Sequence, residues 1–118
     1  MNKEELKKRT KAFAHKCVKI VQNLPNTYLG RHIQGQLVRC STSIAANYRA
    51  AYRSQSKASF IAKLSIVIEE VDESHFWIEF IIDEKLILNQ EISDLLSEAD
   101  QLTAIFVSSR KTARKNLS

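Results

Sequence analysis

The chain has 118 residues and a mass of 13.5 kDa, which suits one domain with its own hydrophobic core and is short for two. It contains only 2 Gly and 1 Pro, too few turn-forming residues for a sandwich, a barrel or an alternating α/β fold. The 18 Lys and Arg exceed the 13 Asp and Glu, and the resulting net charge of +5 permits an anionic partner without requiring one. Composition therefore favours a few long helices and disfavours most enzyme folds.

The first two predicted helices span about residues 3–24 and 27–53. In each, apolar or small residues recur at alternating spacings of four and three, which places them on one stripe of a helix. Pro25 ends the first helix, and Asn26 or Thr27 can cap the second. The two stripes consist of Leu6, Thr10, Phe13, Cys17, Ile20 and Leu24, and then of Ile33, Leu37, Cys40, Ile44, Asn47 and Ala51.

The third and fourth predicted helices span about residues 56–86 and 89–113. The Ser-rich joint at 54–56 supplies a cap for the third helix, which is the longest and most apolar. Asn89 caps the fourth, and Glu91 is favourably placed near its positive end. The stripes consist of Phe60, Leu64, Val67, Val71, Ser74, Ile78 and Ile81, and then of Ile92, Leu95, Ala99, Leu102, Phe106 and Ser109.

Four such helices with short connections predict an all-α, antiparallel up-down-up-down four-helix bundle that forms a single domain over 1–118. We expect the basic tail from Arg110 to fray. The most apolar stretch, 60–82, contains six charged residues, so it does not resemble a membrane span, and no apolar segment follows the basic N-terminus as in a secretory signal. We therefore expect a soluble, cytoplasmic protein in which Cys17 and Cys40 are reduced, buried thiols.

The charges are unevenly distributed along the chain. Residues 6–68 carry twelve bases and no acid, whereas residues 69–118 carry five bases and eleven acids. On a helical wheel, four arginines share the outward face of the second helix, opposite its apolar stripe. A solvated face is the simplest interpretation, but the lack of acidic partners at helical spacing favours a surface that meets phosphates. The candidate nucleic-acid-binding residues are Arg31, Arg39, Arg49, Arg53, Lys57, Lys8 and Lys16.

The far side of the third helix combines aromatic, apolar and acidic residues, which indicates a subunit interface. The alternative is that this helix is central and buried on two sides by its own neighbours. If the acidic, aromatic face of one subunit docks on the basic face of another, head-to-tail rotation closes a ring. The candidate interface residues are Ile66, Glu73, Trp77 and Phe80.

Other polar residues give no pattern that indicates catalysis or a cofactor. Asp72, His75 and Glu79 lie at metal-ligand spacing on one helix, but bundle metal sites take such a motif from each of two helices. We therefore expect no metal, no cofactor and no enzymatic activity. Asn47 is predicted to be a buried amide that sets helix register.

The segments QLVRCSTSIAANY on the second helix and SKASF at the start of the third, followed by paired acids and a late aromatic, resemble one known family. It comprises the bacterial four-helix bundle proteins, also called S23 proteins, associated with intervening sequences in 23S ribosomal RNA genes. The chain departs from the family pattern at Ala45, where many members carry Pro, and at Arg49-Ala50, where they carry Glu-Gly. The resemblance implies a shared corner formed by Arg39, Ser43, Asn47 and Tyr48.

The resemblance also implies a homopentameric ring with a positively charged surface, related to the accessory variability determinant (Avd) of diversity-generating retroelements. Together with the charge pattern, it predicts a non-enzymatic scaffold that binds RNA or DNA through phosphates without reading bases. Two alternatives remain. One is a protein-interaction accessory subunit, for example for a retroelement reverse transcriptase, and the other is a bundle of unknown function with no nucleic-acid role.

Overall fold

The computed structural model of the chain describes residues 1–117, and Ser118, the last residue of the predicted domain, lies outside the described residues. It contains four α-helices: α1 (Lys3–Ile20), α2 (Tyr28–Tyr52), α3 (Lys57–Asp83) and α4 (Gln90–Lys115). Over the described part of the chain there is no β-strand, and the prediction of four helices is confirmed. No helix in that part is both long and apolar enough to cross a bilayer.

Each helix begins at a polar side chain that accepts a hydrogen bond from a backbone N–H three residues later. This cap satisfies one of the amide groups that the first turn leaves without a partner. Thr27 and Ser56 are two of the caps predicted from the sequence, and both have extended backbone before the helix starts. The four caps, with the residue whose N–H each accepts, are Asn2 with Glu5, Thr27 with Gly30, Ser56 with Ser59 and Asn89 with Ile92.

The helix ends differ from the predicted ones by a few residues. α1 ends at Ile20 and not near 24, because a 3₁₀ turn at Val21–Asn23 leads to extended backbone at Leu24. That extended conformation is required because the next residue is Pro25.

α3 ends at Asp83 and not near 86, because Lys85 adopts a left-handed backbone (φ 54°). The N–H of Lys85 then donates to the carbonyl of Ile82, and the N–H of Leu86 donates to that of Ile81, which terminates the helix.

The expectation that the chain frays from Arg110 was wrong, because α4 continues to Lys115. Ala113 is buried, so the final turns still pack against the bundle. Arg110 Nη1 also lies 3.3 Å from Ser65 Oγ of α3. The basic C-terminal residues are thus part of a folded helix.

The helices form an elongated bundle with extents of 49 × 21 × 21 Å. α1 packs on α2, α2 on α3 and α3 on α4, and α1 returns to contact α4. This order is the predicted up-down-up-down arrangement. α2 and α3 contact each other most extensively, whereas α1 and α4 contact each other least.

The core consists of most residues of the predicted stripes. One exception is Asn47, which is only half-buried. The core position is occupied instead by the next residue, Tyr48, which is 4 % exposed. The Tyr48 ring packs against Phe106, with ring centroids 5.3 Å apart. The prediction of a buried Asn47 amide was therefore wrong by one position, because the stripe of α2 advances by four residues from Ile44. The other stripe residues that are only half-buried are Leu24, Phe60 and Ser109.

Candidate nucleic-acid interface and aromatic surface

The antiparallel arrangement gathers positive charge at one end of the bundle. That end contains the start of α1, the end of α2, the start of α3 and the end of α4, which come together around a single cleft. We call residues 1–8, 49–63 and 110–117 the basic end. Its cations are Lys3, Lys7, Lys8, Arg49, Arg53, Lys57, Lys63, Arg110, Lys111, Arg114 and Lys115.

The basic end carries eleven bases and two acids, a formal net charge of +9. The opposite end, formed by residues 16–35 and 76–98, carries four bases and six acids, a formal net charge of −2. The bundle is thus polarised along its long axis, and an anion is attracted to one end. All six acids of the opposite end lie in α3, the loop after it and α4, and none lies in α1 or α2.

The structure brings four of the seven candidate nucleic-acid-binding residues together at the basic end: Lys8, Arg49, Arg53 and Lys57. All four are exposed. Within residues 1–117, the ion pairs involve other basic residues, namely Arg9, Arg39 and His75. These four cations are thus accessible to an external phosphate.

The remaining three candidates lie elsewhere. Arg31 is 22 residues before Arg53, about 33 Å away along α2, and its Nη1 donates to Asn26 Oδ1. Lys16 lines a groove between α1 and α4 at the opposite end, together with Glu91 and Asp94. The arginines of α2 therefore do not form one continuous binding surface.

The third, Arg39, is engaged by two carboxylates of α3. Its Nη1 donates to Glu70 Oε2 at 3.0 Å, and its Nη2 donates to Glu73. The hydrogen bond to Glu73 raises the pKa of the Arg39 guanidinium. Arg39 therefore joins α2 to α3 in addition to facing solvent.

Seven cations of the basic end were not among the sequence candidates. Four of them belong to the C-terminal part of α4, which was expected to fray. The predicted up-down-up-down topology was the signal that could have found them, since it places the end of α4 beside the start of α3. They are Lys3, Lys7, Lys63, Arg110, Lys111, Arg114 and Lys115.

Tyr52, at the end of α2, lies among these cations. Lys3 Nζ lies 5.4 Å and Lys7 Nζ 5.9 Å from the centroid of its ring. The Tyr52 hydroxyl donates to Glu4 Oε1 at 2.8 Å, and this bond raises the pKa of the phenol. Glu4 thereby orients the ring from the side of α1.

Aromatic side chains cluster at the opposite end, where α2 begins and α3 ends. We call Tyr28, His32, Phe76, Trp77 and Phe80 the aromatic surface. The ring centroids of Tyr28 and His32 are 6.2 Å apart, those of His32 and Trp77 5.5 Å, and those of Phe76 and Trp77 5.0 Å. Tyr28 is 79 % exposed and Phe76 52 % exposed. Such a contiguous exposed aromatic area is typical of an interaction site.

The candidate interface residues lie at different places on α3. Trp77 and Phe80 are in the aromatic surface but also pack partly against the core. Trp77 Nε1 lies 3.4 Å from Glu73 Oε2, which also binds Arg39. Ile66 is exposed but lies eleven residues before Trp77, about 17 Å away along the helix. Sequence reasoning missed Phe76 and Tyr28, two exposed members of the aromatic surface.

Two smaller polar groups are also resolved. His75 Nε2 lies 2.9 Å from Asp100 Oδ1 of α4, so His75 joins α3 to α4. In the corner implied by the family resemblance, Asn47 Nδ2 donates to the Ser43 carbonyl at 3.0 Å and to Ser43 Oγ at 2.8 Å. Among residues 1–117 no group of three or more His, Cys, Asp and Glu side chains is arranged to hold a metal ion.

Comparisons with known proteins agree with the fold. Residues 2–108 match the family model described as 23S rRNA-intervening sequence protein. One similar solved structure is a protein of unknown function from the S23 ribosomal protein family of Bacteroides thetaiotaomicron VPI-5482. It is 29 % identical, covers 94 % of this chain and 99 % of its own, and has a TM-score of 0.84. No curated protein matches the chain. Since the family model spans most of its length, the chain belongs to the 23S rRNA-intervening sequence protein family.

Proposed function

We propose that the chain is a non-enzymatic, cytoplasmic scaffold that binds RNA or DNA through the phosphate backbone at its basic end. The observation that carries the proposal is the net charge of +9 on one end of a bundle whose other end is slightly acidic. Clustered Lys and Arg bind a polyanion mainly by releasing its condensed counterions, which requires no base contact. Helical cations without a recognised reading motif position a backbone and do not specify a sequence.

Salt dependence tests this proposal. Fluorescence anisotropy with a labelled duplex, titrated at several salt concentrations, yields the slope of log K against log salt. Arg49→Gln, Arg53→Gln and Lys57→Gln are combined in one variant, which removes three exposed cations of the basic end. The slope should become shallower by about 0.9 for each phosphate contact removed.

The control removes two cations at the opposite end, with Lys16→Gln and Lys19→Gln, and the two variants are compared per cation removed. Both residues are exposed helical lysines, and both line the groove that also contains Glu91 and Asp94. We expect this variant to bind with the wild-type slope. Equal weakening by both variants would contradict the assignment to the basic end, and the absence of salt-sensitive binding to any duplex or single strand would refute the proposed function.

The scaffold is proposed to be a homopentamer whose subunits contact each other through the aromatic surface. Phe76 and Tyr28 support this part of the proposal, because aromatic side chains are enriched in the cores of interfaces and depleted from free surfaces. The neighbouring carboxylates Asp72 and Glu79 would face the cations of the next subunit, an arrangement that favours heterologous contacts and ring closure.

Phe76→Asp tests the interface, since Phe76 is exposed and its replacement leaves the core intact. The mass measured by light scattering should fall to that of one 13.5 kDa chain while helicity is retained. Val107→Asp on α4, another exposed apolar residue, is the control and should keep the native mass. A Phe76→Asp variant with unchanged mass would place the interface elsewhere.

A protein-interaction accessory subunit is the second candidate function, and the same aromatic surface supports it. If the wild-type chain is a monomer in solution, the surface is free for a different protein, such as a nucleic-acid-processing enzyme. A monomeric mass together with salt-insensitive anisotropy would favour this candidate over the scaffold.

A further inference from the structure

A cleft of about 480 Å³ opens at the basic end between the start of α1, the end of α2 and the start of α3, and Ser109 of α4 also lines it. Its lining includes the aromatic residues Tyr52 and Phe60 and the cationic residues Lys3 and Lys57. Among the described residues, no Asp or Glu lines it. Its volume lies within the range of pockets that hold small organic ligands, about 300–1,000 Å³. The cleft therefore suits a ligand that is both flat and anionic.

The contacts of Tyr52 suit its ring to bind such a ligand. Its hydroxyl is fixed by Glu4 at 2.8 Å, while Lys3 and Lys7 reach over the ring with their ammonium groups 5.4 and 5.9 Å from its centroid. Cation–π contacts at exposed positions are weak, so both lysines can turn from the ring towards phosphates at small cost. The ring would then be open to a stacked base. An aromatic platform flanked by cations is the combination by which proteins bind single-stranded nucleic acid.

A duplex and a single strand would offer different groups to this cleft. In a duplex both faces of each internal base are stacked on other bases, so no internal base offers a free face to Tyr52. An unpaired nucleotide presents a free face to Tyr52 and its phosphate to Lys3 and Lys57. We propose that the cleft receives one unpaired nucleotide, at an end, overhang or bulge, of the nucleic acid whose backbone the surrounding cations hold. This inference rests on the proposed function.

Anisotropy titrations with two labelled probes test the inference: a blunt DNA duplex, and the same duplex with a short single-stranded overhang. We expect the wild-type chain to bind the overhang probe about tenfold more tightly at equal salt, the size of effect that one stacked base gives. Tyr52→Leu should abolish this preference and leave the affinity for the blunt duplex unchanged. Tyr52→Phe keeps the ring and should keep the preference, which separates stacking from loss of the bond to Glu4.

Val107→Ala is the control, because Val107 is an exposed apolar residue of α4 that belongs neither to the lining of the cleft nor to the aromatic surface. It should keep the wild-type preference, and circular dichroism should show that each variant is folded. Equal affinity of the wild-type chain for both probes, or an equal loss on both probes in Tyr52→Leu, would overturn the cleft assignment while the proposed function stands. Absence of binding to either probe would overturn both.

Discussion

One ion pair joins α1 to α4, and breaking this pair gives a quantitative test of the structure. Arg9 Nε and Nη2 donate to the two carboxylate oxygens of Glu98, each at 2.7 Å, and Nη2 also donates to Gln101 Oε1 at 2.8 Å. The bond to Glu98 raises the pKa of the Arg9 guanidinium. α1 and α4 contact each other least of the adjacent helices, so we expect the loss of this pair to have a measurable effect.

The expected magnitude follows from geometry and exposure. Fully exposed ion pairs contribute about 0.2–1 kcal/mol, whereas hydrogen bonds to charged groups contribute about 1.5–3 kcal/mol when shielded from water. The Arg9 and Glu98 side chains are 22 % and 24 % exposed, which places this bidentate pair between those cases. We therefore expect a coupling energy of about 1–1.5 kcal/mol.

A double-mutant cycle with Arg9→Ala, Glu98→Ala and the double variant measures this coupling. Urea unfolding is the suitable assay, because guanidinium chloride is a salt and would screen the pair. All variants are compared at one protein concentration, so that any assembly contributes equally. The coupling should decrease at high salt.

The pair Arg39–Glu70 provides the comparison within the same chain, because the Arg39 side chain is 50 % exposed. Its coupling should be about 0.5 kcal/mol or less. If Arg9 and Glu98 couple no more strongly than Arg39 and Glu70, exposure does not control the strength of these pairs, and the reasoning is refuted.

Two further predictions concern the glycines of α2 and the buried thiols. Gly35→Ala should stabilise the chain by about 0.5–1 kcal/mol, because nothing lies within 4 Å of the added Cβ, whereas Gly30→Ala should destabilise it, because its Cβ would lie 1.9 Å from the carbonyl oxygen of Pro25. Opposite shifts in urea midpoint confirm both, and equal shifts contradict them. Burial raises the pKa of Cys17 to about 12 and that of Cys40 to about 11. Both thiols should react with Ellman's reagent at pH 8 only after unfolding, and because the unfolded thiols ionise near pH 9, the free energy of unfolding should fall progressively above that pH. Rapid labelling of the native chain, or constant stability from pH 8 to 11, would contradict this.

Local sequence signals determined the helices and most of the core. The four-and-three spacing of apolar residues identifies a stripe because an α-helix returns to the same face every 3.6 residues. Caps such as Thr27 and Ser56 act on amides only three residues away, so they too are visible without a fold. The errors at Leu24 and Lys85 are small because they concern local backbone at helix ends.

Only the tertiary structure decided which charged residues meet. Glu98 lies 89 residues after Arg9, and Glu70 lies 31 after Arg39, so neither pair follows from helical periodicity. The sequence showed that the chain is electrostatically polarised, with its positive charge concentrated in residues 6–68. Antiparallel packing redistributed that polarity along the bundle axis, because it places the C-terminal cations of α4 at the same end of the bundle as Arg53 and Lys57. Periodicity acts over one turn of helix, whereas electrostatic surfaces depend on distances in space, and these exist only after the chain has folded.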